Sequence, residues 1–419
     1  MKKQRIWLST ATAVVLAGAL APAAQAFDVA AGDWKLSVSG NVNAHFIYQM
    51  CQTTSTASPV DGGLACVAAD NSSSVSNGLL PAALSVSGST TQAGWDLGFT
   101  FGLYPGISTN DGGSPNLQAT PGPTHTALGT AGLDVRQVFL TFGNSSFGTV
   151  MAGRNIGLFQ ADAILNDMTL LGVGGGNGTY AAPPNTSLGS IGLGYIYTDW
   201  IAQIDYTTPD IAGTKVTIGV FDPLNTLGQP VPTNKKAPGV HAKVAYKAGP
   251  LYLSASGLVQ QQRGTTGVLA GTDYNSWGAD IGGMFDFAGF QVAGWYYRAR
   301  GLGTTGLFVL SDDGAGHPRD SEGFLAQVTY KLGPTKFGLN YGMSKLYSTG
   351  ADFTTLFGTT GLLVSQALVL KNDKFTAGVY HSLTDNLLLL AEFTNIRSEN
   401  QIGRENNSRN VNVGAFLKF

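Results

Sequence analysis

Beyond its first 26 residues the chain has no run approaching the ~20 apolar residues that a membrane-spanning helix needs. Charge is scarce as well: Asp, Glu, Lys and Arg make up 12% of 419 residues, while 57 are Gly. There are five His residues, and Gly-x-Ser-x-Gly, His-Glu-x-x-His and Cys-x-x-Cys are all missing, so hydrolase, metalloprotease and redox chemistry lack their usual side chains. The glycine run over 172–178 has neither the spacing nor the strand-then-helix setting of a nucleotide-binding loop. The two cysteines, Cys51 and Cys66, lie in a polar stretch without a nearby His, and a local disulfide is the expectation. No cofactor and no metal site are implied.

What is present starts with an address. Lys2, Lys3 and Arg5 precede an apolar run over 11–20 and then Ala24-Gln25-Ala26, which together read as a secretory leader cut after Ala26. The remainder, 27–419, is a single domain. The leader holds three of the 24 basic residues and none of the 26 acidic ones, so 21 basic residues face 26 acidic ones and the net charge is −5. That balance gives nucleic-acid binding no support. An exported chain of this composition is a secreted β protein or a membrane β-barrel.

Alternation decides between them. Val411, Val413, Ala415, Leu417 and Phe419 share one face, while Asn410, Asn412, Gly414, Phe416 and Lys418 share the other; one face suits lipid and one suits water. Phe324 to Leu332 repeats the pattern, turns at Gly333-Pro334, and returns through Phe337, Leu339, Tyr341 and Met343. Read throughout, the chain gives about sixteen such strands, beginning near Trp34, Ala82, Gly94, Leu133, Phe147, Trp200, Thr214, Val240, Leu251, Ser276, Phe290, Glu322, Thr335, Lys371, Asn386 and Ser408. Brief connections, such as Gly249-Pro250, Ala288-Gly289 and Asp385-Asn386, take turns with long polar ones. That sorting predicts an all-β, transmembrane antiparallel barrel with short turns and both chain ends on the periplasmic side. Aromatic residues near strand ends, at Tyr48, Tyr104, Trp200, Tyr206, Trp277, Trp295 to Tyr297 and Phe419, fit interfacial girdles.

One stretch departs from this rhythm. After the fifth strand, residues 152–168 read AGRNIGLFQADAILNDM, with Gly153-Arg154-Asn155, Asp162-Ala163 and Asp167-Met168, followed by the glycine-rich return. On these residues, the leader, the strand rhythm and the terminal Phe419, the chain resembles the general diffusion porins of Gram-negative bacteria. The resemblance implies a homotrimeric outer-membrane channel surrounded by lipid and passing small hydrophilic solutes and ions, with the third long loop, 155–189, folded into the lumen as a constriction. In that family an acid pair on this loop faces basic side chains on the wall. Asp167 matches the first acid, whereas the second has no match in TLLGVGGG, residues 169–176. On the wall Arg136 is kept, but Asn41, Ala83 and Thr198 stand where the family has basic residues.

The resemblance therefore nominates Asp167, Arg136, Arg154 and Asp162 for the constriction. Two roles are open to Asp167, selectivity or a buried tie to the wall. Asp162 is placed to cap a short helix over 163–165, and Arg154 could hold the loop through its carbonyls. Asn41, Arg298, Arg300 and Lys331 are further lumen candidates. Arg298 and Arg300 share a strand face, assigned to the lumen or outer mouth because arginine in mid-bilayer costs ~2–4 kcal/mol. Val138, Leu140 and Phe142 alternate with Phe139, so the fourth strand is apolar on both faces and needs protein on its inner side. A substrate-selective porin is the alternative reading; an outer-membrane hydrolase or an adhesin barrel stands further off.

Overall fold

The computed structural model describes residues 27–53, 60–66, 70–107, 133–175, 186–226, 236–263, 273–358 and 361–419. The expected leader, 1–26, lies outside them, as do residues 176–185 of the expected constriction loop. No helix among the described residues is long and apolar enough to cross a membrane.

The wall begins with β1 (Phe27–Ala31), β2 (Trp34–Thr53), β3 (Ser72–Ser76), β4 (Ala83–Gln92), β5 (Trp95–Pro105), β6 (Leu133–Asn144) and β7 (Gly148–Ile156). After a five-residue helix, α1 (Ala161–Leu165), it continues with β8 (Trp200–Thr207), β9 (Thr214–Phe221), β10 (Gly239–Ala248), β11 (Leu251–Arg263) and β12 (Asp273–Phe287). It ends with β13 (Phe290–Arg300), β14 (Asp320–Leu332), β15 (Thr335–Leu346), β16 (Val369–Ser382), β17 (Leu387–Asn400) and β18 (Glu405–Lys418). β2 and β4 through β18 form a closed antiparallel barrel of sixteen strands, sealed where β18 pairs with β2 from Lys418↔Asn41 to Asn407↔Thr53. Phe419 N donates to Gly40 O and Gly40 N to Phe419 O, so the carboxyl end is bonded into the seam. β1 folds back on the start of β2, and β3 pairs with β2 beyond the stretch that β4 occupies.

Every strand start read from the sequence falls within three residues of the observed one; β1 and β3 were not foreseen. The turns explain the precision. Ala93-Gly94 and Ala288-Gly289 both have two positive φ values, the primed hairpin turn whose twist matches paired strands.

Alternation sorts the two faces as expected. On β18, Val411, Val413 and Leu417 are exposed while Ser408, Asn410 and Asn412 are fully buried in the barrel. Since Val413 is 50% exposed near the middle of its strand, Val413→Arg should cost ~2–4 kcal/mol of stability in a bilayer. Asn410→Ala, three residues away on the inner face, meets no lipid and removes no side-chain hydrogen bond found among the described residues. Folding into lipid vesicles, followed by heat-dependent gel migration, should show the first variant impaired and the second near wild type; the reverse ranking would mean that the faces are inverted.

The aromatic girdle needs correction. Tyr48, Trp277 and Tyr296 are exposed on the outer face, and Tyr206 joins Phe147 and Trp95 in edge contacts near the short turns. Trp295 and Tyr297 are instead buried inside, and Tyr104, Trp200 and Phe419 line an internal cavity. Alternation gives one side of a strand to water, and here large side chains fill it.

The lumen has an apolar core of its own. Leu64, Leu79, Ile164, Leu193, Trp295 and Leu325 belong to one buried cluster that joins wall and long connections. Four connections contribute: residues 54–82 (L1), 157–199 (L3), 301–319 (L6) and 347–368 (L7). L1 is stapled to the end of β2 by the disulfide Cys51–Cys66 and donates from Leu64 N to Ser398 Oγ on β17. Leu79 N of L1 donates to Gly172 O of L3, and Tyr197 N of L3 to Thr305 O of L6. Arg319 at the end of L6 forms a buried ion pair with Asp352 of L7.

Candidate pore constriction

L3 leaves β7, crosses the lumen and returns at β8, and it is longer than the sequence suggested. Its outgoing half is anchored from β10 to β17 and its returning half on β16 and β15. Leu158 N lies 3.4 Å from His241 Nδ1 on β10, and Gln160 N donates to Asp280 Oδ2 on β12. Asp162 accepts from Lys243 Nζ on β10 at 3.1 Å and from Tyr252 OH on β11 at 3.0 Å. Met168 N donates to Gln327 Oε1 on β14, and Gly194 N to Ser344 Oγ on β15. Lys374 of β16, fully buried, donates to Gly189 O.

The strongest grip comes from β17. Glu392, 3% exposed, accepts from Val173 N at 2.9 Å, Gly174 N at 2.8 Å, Tyr380 OH at 2.6 Å and Asn412 Nδ2 at 3.2 Å. Two successive backbone N–H groups aimed at one carboxylate are a compact anion nest. Gly172 is what allows the approach, since a Cβ there would stand 2.1 Å from Glu392 Oε1.

Asp167 is 4% exposed and belongs to this anchoring layer. It accepts from Thr169 N and Oγ1, from Ser190 N at 3.0 Å and from Tyr195 OH at 2.8 Å, and so folds L3 upon itself. Burial, with the Asp167 carboxylate beside it, pushes the Tyr195 hydroxyl well above its ordinary pKa, so it stays a donor. The tie that Asp167 makes is chiefly within L3; toward the wall it accepts from Asn340 Nδ2 on β15 at 3.5 Å. Asp162 does not cap: α1 begins after Gln160, whose φ of 58° and lack of a side-chain cap bond leave Asp162 in the first turn, paired with Lys243. At the foot of the returning segment Asp199 is buried, which raises its pKa to about 6, against the Trp200 N–H and Arg154, which both lower it.

Between L3 and the wall lies a cavity of about 430 Å³, bordered by β2, β4, β5 and β6 and by the short-turn ends of β14 to β18. Asn41, Ser85, Tyr104, Arg136 and Lys331 line it from the wall, while Ile164, Leu165, Leu171 and Leu188 line it from L3. Arg136 owes its place to a bulge. Gly102 pairs with Gln137 and Leu103 with Val135, so Arg136 is an extra residue on β6, and it is buried inside together with Gln137. Its Nε donates to Asp134 Oδ2 at 3.0 Å, and its guanidinium lies 5.0 Å from the Tyr104 ring and 5.7 Å from that of Trp200. Asn41 accepts from Asn43 Nδ2 at 2.8 Å.

Three arginines proposed for the lumen are elsewhere. Arg154 pairs with Val138 and Ala202, both outward-facing, so it lies on the outer side of β7, where its Nε donates to Val135 O at 3.0 Å. Arg298 and Arg300 share the exposed face of β13 with Val292 and Tyr296 and pair across strands with Glu322 and Asp320. They stand at the strand end away from the short turns, which is the outer mouth, on the outside of the wall.

The sequence reading passed over Glu392 and Lys374, and gave Tyr104 and Trp200 to the girdle and not to the lumen. A charged residue in an otherwise lipid-facing strand is a usable signal for Glu392, in LLLLAEF; nothing local marks Lys374.

Comparison agrees with this architecture. A search of curated proteins finds no match. Among solved structures, the outer membrane channel DcaP of Acinetobacter baumannii superposes with a TM-score of 0.65 at 16% identity, over 93% of this chain and 99% of that one. OmpF of Salmonella typhi, in complex with daunomycin, gives 0.57 at 13% identity over 94% and 100%. In-vitro folded OmpT of Vibrio cholerae, in trimer form, gives 0.53 at 13% identity over 92% and 99%. These identities carry the fold alone. The sequence itself carries more: residues 10–401 match the Gram-negative porin family, and with the closed sixteen-stranded wall in place the chain belongs to that family.

Proposed function

We propose that ions and small hydrophilic solutes cross this outer-membrane channel by passive diffusion, with L3 as the constriction and three copies as the working assembly. One observation carries the reading: L3 is bonded to β10, β11, β12 and β14 to β17, and the space left beside it lies against β2, β4, β5 and β6 and, at the short-turn end, against β14 to β18. A loop fixed to one side of a tube narrows the other side. The homotrimer draws support from the trimer form of OmpT and from the apolar outer faces of β5 and β6, where Phe101, Leu103, Val138 and Leu140 are exposed. Native electrophoresis of the detergent-extracted barrel should give one band at three chain masses.

Single-channel recording with a graded series of neutral polyethylene glycols tests the constriction. Small polymers should lower conductance by entering the pore, and larger ones should leave it unchanged beyond a sharp size limit. A folded barrel without conductance would point to the adhesin reading, and a limit that does not move when L3 is shortened would place the constriction elsewhere. A substrate-selective porin is favoured by the aliphatic rim that L3 gives the cavity, a surface with no value to a purely hydrophilic solute.

A further inference from the structure

Resting on L3 as one wall of an open pore, we propose that the chamber between L3 and the barrel wall is a binding stage for amphipathic organic anions. A sulfonate or carboxylate would sit at Arg136, and its apolar body would lie against L3.

The anion end is prepared. Arg136 spends Nε on Asp134, and among the described residues its Nη groups have no protein acceptor although the side chain lines the chamber. A guanidinium presents paired N–H donors in a plane that matches an oxyanion, and the rings of Tyr104 and Trp200 hold that plane in place. The same two rings make a cation an unsuitable guest, because Arg136 already occupies the cation–π positions beside them.

The surrounding charge has the same sign. Lys331, Lys336 and Lys418 line the chamber with Arg136, against two carboxylates, those of Asp385 and of the terminal residue Phe419. Asp134 offsets Arg136, while Asp167 and Glu392 lie behind the lining, bonded to L3 backbone and accompanied by buried Lys374. The chamber thus carries positive charge inside a chain that is net acidic, and low-dielectric walls concentrate its field.

The body end is apolar. Leu80, Leu165 and Leu171 are half-buried and border the chamber with Ile164, Met168 and Ile191. Such a surface gains from covering by a hydrocarbon or aromatic body and gains nothing from a small inorganic ion.

The test uses the full barrel in a planar bilayer and three permanently charged probes: benzenesulfonate, methanesulfonate and phenyltrimethylammonium. Benzenesulfonate should block the potassium chloride current saturably, at concentrations at least tenfold below either of the others. Arg136→Gln should weaken that block at least tenfold. Lys331→Gln, at an exposed rim position, should lower the anion preference of the reversal potential and keeps the test decisive if the arginine variant does not fold. Equal block by phenyltrimethylammonium or methanesulfonate, a cation-preferring wild type, or block unchanged in both variants would overturn the proposal while leaving the channel reading intact. Absence of any chloride current would overturn both.

Discussion

Glu392→Ala is expected to raise single-channel conductance and turn a steady trace into a flickering one. The carboxylate holds two backbone N–H groups of L3, and beside it Tyr380 and Asn412 also donate to it. Each donor left unmatched in a buried site costs ~1–3 kcal/mol, less where water can enter. Every ~1.4 kcal/mol multiplies the released fraction of the loop tenfold, so losing this anchor shifts L3 from a fixed partition toward a mobile one. Glu392→Gln, which keeps the shape and one acceptor oxygen, should fall between. The wall is bonded strand to strand and should not depend on this side chain, so heat-dependent gel migration of the barrel should persist. Conductance steady at the wild-type level would show that the other anchors suffice.

Asp167→Asn should change stability more than selectivity. Both carboxylate oxygens receive donors: Thr169 on one, Ser190 and Tyr195 on the other. An amide must turn its NH2 toward one pair, leaving donors facing a donor at ~1–3 kcal/mol each. Lys374, fully buried and bonded to Gly189 O, would also lose the nearby negative charge of Asp167. The expected result is a lower thermal midpoint with an unchanged reversal potential, because Asp167 does not line the chamber. A shifted ion preference at unchanged thermal stability would restore Asp167 to a direct role in selectivity.

The wall was legible because its signals are local. Turn residues with positive φ and strict alternation mark where each strand starts, and neither depends on distant partners. The filling of the lumen was not legible, since L1, L3, L6 and L7 bury side chains against one another and their order in the chain does not reveal those contacts. Arg298 and Arg300 show the limit of a face argument: a spacing of two places both on one face without saying which. The lipid penalty used to choose the lumen or the outer mouth holds at mid-bilayer and falls to ~0–1 kcal/mol near the interface, where these residues lie at the outer mouth on the outside of the wall. Arg154 failed for a related reason, because its sequence match fixed its position in the chain and left its side of the wall open. Asp167 was found as a residue; its burial depended on Ser190 and Tyr195, more than twenty positions away.

The bulge at Arg136 has a consequence for how such a pore can change. Without Arg136, Asp134 and Gln137 would point inward and Val135 and Val138 outward in unbroken alternation, so the arginine is supernumerary to an otherwise regular strand. A single inserted or deleted codon can therefore add or withdraw a lumen charge while every lipid-facing residue of β6 keeps its side. Solute preference can drift in this chain independently of the surface that the membrane selects.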